Sequence, residues 1–326
     1  MATAIQETSR FAAIDLLKAA GIVAVVWIHA FLKWGAPHPE AIERIGYLTR
    51  FAVPGFLFAA GFLQAAGPRM SPRELVTKRL ARFLRPYLVA SVAAFSFRAF
   101  VLAEPCSFRR ITVELATGGA WGIFYFVPVL VGATLLGEWL FRYPRLAWPV
   151  FLTFWGLGLL SETRVIALSS LWLDFRSPLR WWGYFFAGWV AARNREWIGG
   201  LPCATRMHVG TVAAAAAVVA FAWYLFLLPP GWSPVSVTLQ YVMIYGIVLG
   251  VVFWWWQAPD RPWLRWLSEA TYPIYLYHYF VIVLMERMPA SFARDMASFA
   301  AAAAASVLLV GVARRLMGRP ARLVLG

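Results

Sequence analysis

Apolar runs recur along the whole chain, separated by short polar stretches in which arginine is common. Runs of spanning length fall at about 11–33, 46–67, 82–103, 120–141, 146–161, 178–193, 207–228, 234–256, 271–288 and 296–317. A bilayer crossing takes about 20 mostly apolar residues. The pattern therefore predicts an all-α fold, a polytopic integral membrane bundle of about ten transmembrane helices that forms a single domain over residues 1–326. The fifth run is short, and 162–177 reads as a re-entrant or interfacial segment, so nine to eleven crossings is the range. Trp and Tyr gather near the run ends, at Trp34, Tyr47, Trp121, Trp181, Trp182, Trp232, Trp254, Trp263 and Trp266. An interfacial aromatic belt has this distribution.

Composition removes the soluble alternative. Apolar residues make up 61% of the chain, charged residues 14%, and the mean hydropathy is +0.66. Soluble domains have roughly 45–50% apolar and about 25% charged residues. The first run carries Asp15 and Lys18 and is not followed by a small-residue cleavage site, so it is expected to stay in the mature protein. The net charge of +15 does not point to nucleic acid, because the arginines sit between apolar runs. The positive-inside rule puts them there. With the N-terminus cytoplasmic, a modest excess of Lys and Arg falls on the inner side, and ten crossings bring both termini to it. Cys106 and Cys203 then fall on opposite faces and cannot pair, and no metal-ligand spacing is present.

Ionisable residues inside a span are costly and are candidates for function. The first run reads IDLLKAAGIVAVVWIHAF. Asp15 and Lys18 are three apart and share a helix face. His29 lies three turns plus about 20° beyond Lys18, about 16 Å further along the axis. One stripe thus carries a carboxylate, an ammonium and an imidazole. It reads either as a reactive stripe or as an end-of-helix ion pair with a hydrogen-bonded structural histidine.

In the second run, Pro54, Gly55 and Gly61 suit a kink and close helix approach rather than chemistry. Arg79, Arg82 and Arg85, at i, i+3 and i+6, read as three guanidiniums on one face, an anion site or an anchor for lipid phosphates. Trp121 and Tyr125 open the fourth run as belt or site. Ser268, Tyr272, Tyr275 and His278 give the ninth run a polar, aromatic entry, with Tyr275 and His278 on one face. Glu138, His38 and His208 lie near loops and are expected to be solvated.

These motifs, in this order, resemble the acyltransferase-3 family of membrane O-acyltransferases, and in particular its short branch of fucose 4-O-acetylase-like proteins. The resemblance covers nearly the whole chain. The first-helix pattern of Asp, Lys or Arg, and His is Asp15, Lys18 and His29. Many members carry Arg where this chain has Lys18. The Pro-x-Phe-Phe…Ser-Gly-Phe-Leu motif appears as Pro54-Gly55-Phe56-Leu57…Ala60-Gly61-Phe62-Leu63, with Ala60 replacing the usual Ser. The basic pair of the third helix is Arg82 and Arg85, the Trp–aromatic opening is Trp121 and Tyr125, and the Ser-Tyr-x-x-Tyr-Leu-x-His motif runs from Thr271 to His278.

The resemblance implies acetyl-CoA or another acyl-CoA as donor. It implies as acceptor a hydroxyl of a cell-surface polysaccharide or lipid-linked glycan, at the inner membrane of a bacterium. On that basis Arg79, Arg82 and Arg85 meet the donor phosphates, and His29 is the general base or a transient acyl carrier. Asp15 and Lys18 form a buried pair, and Trp121, Tyr125, Tyr275 and His278 position the acceptor or contact the oxyanion. A homo-oligomer is compatible with such a chain. The competing class is a proton-coupled transporter or flippase that uses Asp15, Lys18 and His29 as a relay. The chain lacks the paired broken helices in matching halves that point to inverted-repeat carriers.

Overall fold

The computed structural model describes residues 11–32, 39–105, 107–165, 177–228, 233–318 and 320–325. Trp34, His38, Cys106, Trp232 and most of the 162–177 segment lie outside the described residues. The rest is helical, with no strand among the described residues.

The helices are α1 (Ala12–Phe31), α2 (Glu40–Thr49), α3 (Ala52–Ala66), α4 (Pro72–Phe100), α5 (Phe108–Thr117), α6 (Gly122–Leu140), α7 (Ala147–Glu162), α8 (Pro178–Arg193), α9 (Arg195–Gly200), α10 (Cys203–Leu227), α11 (Pro234–Trp254), α12 (Pro262–Met285), α13 (Phe292–Met317) and α14 (Ala321–Leu325). Every predicted run is helical. Seven segments have the length and apolarity of a span: α1, α2 with α3 as one Glu40–Ala66 stretch, α4, α6, α10, α11 and α13. The helices α7 and α8 have 16 residues each, and α12, though 24 long, is interrupted by polar Ser268, Glu269, His278 and several tyrosines.

Local sequence explains the breaks. The second run divides at Arg50–Phe51, and Pro54 falls in the first turn of α3, where its missing N–H costs nothing. A Ser71–Glu74 capping box starts α4, about ten residues before the apolar run, and a π-helical turn follows over Leu75–Leu80. The amphipathic α5, capped by Ser107, was not apparent from hydropathy.

The bundle closes around α1, which packs on α3, α11, α12 and α13. At the α3–α8 crossing, a Cβ on Gly61 would lie 1.9 Å from the Phe185 carbonyl oxygen, and one on Gly188 would lie 1.9 Å from that of Phe58. The backbones touch because these positions have no side chain, a common solution in lipid, where apolar burial does not distinguish helix from acyl chain. Outlying α10 and α13 are only 22% buried in their apolar windows, which suits helices at the rim of a membrane bundle.

Candidate functional site

Two contacts tie α12 to α1. The Ser268 hydroxyl donates to Asp15 Oδ1 at 2.5 Å, and the rings of His29 and His278 lie 5.3 Å apart. Since 15 pairs with 268 and 29 with 278, α12 runs parallel to α1. The chain therefore reverses direction an even number of times between them.

Alongside the Asp15 end of this pair lies a partly open cavity of about 480 Å³. Its cations come from α1 (Lys18) and α4 (Lys78, Arg79 and Arg82), and its aromatic and hydroxyl groups from α12 (Ser268, Thr271, Tyr272 and Tyr275). Glu269 of α12 adds a carboxylate, and Phe56 and Gln64 of α3 and Phe126 and Thr134 of α6 also face the cavity. The cations are not equivalent. Lys78 bonds Glu74 at 2.7 Å, one helical turn earlier. Arg79 pairs with Glu138 at 3.0 Å, with both side chains largely buried. Arg82, exposed to the cavity, makes no ion pair among the described residues.

Two expectations change here. Glu138 is not solvated. It takes Arg79, the Met70 N–H at 2.9 Å and the Gln64 amide at 3.4 Å, because the end of α6 docks on the α3–α4 turn. Arg85 does not line the cavity. At about 100° per residue, six positions return a side chain about 120° away from its starting face. Arg79 and Arg82 therefore point to the cavity while Arg85 turns aside. His208 is exposed on the second turn of α10.

Tyr275 stands where the cavity ends. Its hydroxyl donates to the Ile123 carbonyl, and its ring packs against Phe126 at 5.5 Å and His278 at 6.3 Å. One turn further along α12, His278 is fully buried. Its Nδ1 lies 3.0 Å from the Ile274 carbonyl oxygen, and its Nε2 is buried with no partner. His29 is only half-buried. Tyr279 packs edge-on against His29 at 5.6 Å and against Trp121 at 5.4 Å. Trp121, wedged between Phe97 and Phe280, also has its indole N–H buried without an acceptor. Arg98 donates to the Ala120 carbonyl at 3.0 Å and pairs with Glu104 and Glu114, which braces the loop that delivers Trp121.

The structure thus brings His29, His278, Trp121 and Tyr275 into one neighbourhood, and Lys18, Arg79 and Arg82 into another. Asp15 sits behind the second, held by Ser268. Tyr125 turns towards Trp181 at 5.9 Å, near a separate cluster in which Arg180 and the Tyr241 hydroxyl meet Glu162. The sequence reading missed Tyr279, which sits beside His278 but about 100° around the helix from it. It also missed Gln64. A lone amide in the apolar run FLFAAGFLQAA was a legible signal.

A family model described as an acyltransferase domain matches residues 11–315. No curated protein and no solved structure matches the chain.

Proposed function

The chain belongs to the acyltransferase-domain family and is a multi-pass membrane acyltransferase; from that premise we propose that it moves an acetyl or other short acyl group from acyl-CoA to a hydroxyl of a cell-surface polysaccharide or lipid-linked glycan. The observation that carries the reading is the course of α12. It leaves a cation-lined cavity at Ser268, reaches the cavity's end at Tyr275, and presents His278 to His29 one turn later.

In this reading the donor phosphates lie by Arg82, Lys18 and Arg79, and Arg82 makes no ion pair among the described residues, although Glu269 lines the same cavity. Guanidinium forks suit phosphate oxygens. The thioester extends along α12 towards Tyr275. The acceptor arrives from the His29 end, and the cavity mouth and both termini are taken to face the cytoplasm at a bacterial inner membrane.

His29 removes the acceptor hydroxyl's proton as the oxygen attacks the thioester carbon. The C–S bond then breaks, and the imidazolium returns the proton to the departing CoA thiolate. Positioned general bases contribute about 10²–10⁴-fold. The Trp121 indole N–H is a candidate donor to the oxyanion, a role that needs a positioned N–H or O–H.

The test uses purified protein in lipid nanodiscs with labelled acetyl-CoA, recording free CoA and label transferred to a panel of mono- and disaccharides. The reading expects saturable, acceptor-stimulated CoA release that disappears in His29→Ala. Donor binding without any acyl transfer, or transport of the saccharides in sealed vesicles without it, rejects the reading.

A further inference from the structure

The His278 ring is chemically asymmetric. A carbonyl oxygen only accepts, so the 3.0 Å contact with Ile274 puts the proton on Nδ1. In the neutral ring Nε2 is then a bare lone pair. It is fully buried, and no described group donates to it. Buried polar atoms are rarely left this way, because the lost hydration is not replaced. The lone pair is therefore set for a donor that comes into place during function. A ring whose one proton is committed to Ile274 has none for an oxyanion, which argues against that role for His278.

A neighbouring group with a suitable proton is His29, whose ring lies nearest to that of His278 among the ring contacts of His278. The Tyr275 hydroxyl is committed to Ile123, and Tyr279 offers His29 a ring edge. Two imidazoles joined by an N–H···N bond of about 3 Å have ring centres about 5 Å apart. The rings of His29 and His278 already lie 5.3 Å apart and are tilted by 32°. His29 is partly buried near the end of α1, and a rotation of its ring would align the pair. Catalytic hydrogen bonds are often incomplete before the reacting complex forms.

We propose that His278 is a positioning residue for His29. Its Nε2 accepts the N–H of His29, which fixes the tautomer whose other nitrogen turns its lone pair to the acceptor hydroxyl. The donations run from His29 to His278 and from His278 to the Ile274 carbonyl. When His29 takes the acceptor's proton, its N–H towards His278 belongs to a cation, and that bond strengthens. This proposal rests on the reading of His29 as the base.

The experiment compares His278→Asn and His278→Gln in the full-length protein. Asn keeps a donor near the Nδ1 position for Ile274 but has nothing at the Nε2 position. Gln reaches that position with its amide. Turnover is measured with acetyl-CoA and with methyl α-D-glucoside as the acceptor probe, and acetyl-CoA hydrolysis is the acceptor-free reaction. His278→Asn should lower kcat by about 30-fold, by analogy with loss of a group that orients a metal-bound histidine. Its KM for acetyl-CoA should stay within about twofold, and His278→Gln should recover part of kcat.

A second readout does not depend on turnover. The chain has 4 histidines, so 15N-histidine labelling resolves the His29 ring nitrogens by solid-state NMR with CoA bound. One tautomer is expected in the wild type and a mixture in His278→Asn. An unchanged kcat, or a His29 tautomer indifferent to His278, overturns the proposal. If the tautomer responds but the wild type transfers no acyl group, it is the proposed activity that fails, not the coupling. If Asn prevents folding, His278→Gln and the wild-type spectrum decide.

Discussion

The two ends of the α1–α12 pair solve opposite problems. At the Asp15 end, charges are numerous and largely matched: Ser268 holds Asp15, Glu138 holds Arg79, and Glu74 holds Lys78. At the His29 end the nearest groups are rings, two of them incompletely bonded: the lone pair of His278 and the indole N–H of Trp121 lack partners among the described residues. A matched ionic region can be stable and open before its ligand arrives. On the proposed reading, the indole N–H of Trp121 is left for a bound molecule and the lone pair of His278 for His29. In that reading, the difference separates holding a charged donor from handling a proton.

The comparison is broken most severely by His29→Ala, which should cut acyl transfer by at least about 100-fold while leaving the dissociation constant for CoA unchanged. Equal losses in binding and turnover would mean that the two ends are one site. Arg82→Ala should do the reverse. Loss of a charge-assisted bond to phosphate raises the donor KM by about 10-fold, with kcat at saturating donor nearly unchanged.

Glu138→Gln tests whether Arg79 is restrained by its partner. Removing the carboxylate should tighten CoA binding by about threefold in a titration, since one negative charge near an anionic ligand is gone. It should also lower the melting temperature in detergent, because a largely buried guanidinium loses its counter-charge. Arg85→Ala should change the donor KM by less than about twofold, the range for a surface charge with no partner in the site. A loss as large as that of Arg82→Ala would put Arg85 in the site and revise the helical phase assigned to α4.

Much of this molecule was legible without coordinates. The recurrence of apolar runs located every long helix, because a membrane demands about 20 apolar residues wherever the chain crosses. The stripe of Asp15, Lys18 and His29 followed from helical phase, and Tyr275 and His278 stood out for the same reason. The ends were less legible. Ser71 and Glu74 start α4 well before the apolar run, since capping, not hydropathy, sets where a helix begins. The three-arginine face was misread by phase: Arg79 and Arg82 share the cavity and Arg85 does not.

By itself, then, the sequence determined the class of the protein, the positions of its helices and which intramembrane residues are chemically unusual. Those are local properties, governed by hydropathy and by about 3.6 residues per turn. Only the tertiary structure decided the partners. Ser268 is 253 positions from Asp15, and Glu138 is 59 from Arg79. Whether Glu138 is a solvated loop residue or a buried counter-ion depends on which helix end docks beside it. Whether His278 is a structural histidine or the neighbour of His29 depends on α12 lying parallel to α1. No periodicity along one helix encodes that placement, because it follows from how the whole bundle packs, down to the bare backbone contacts at Gly61 and Gly188.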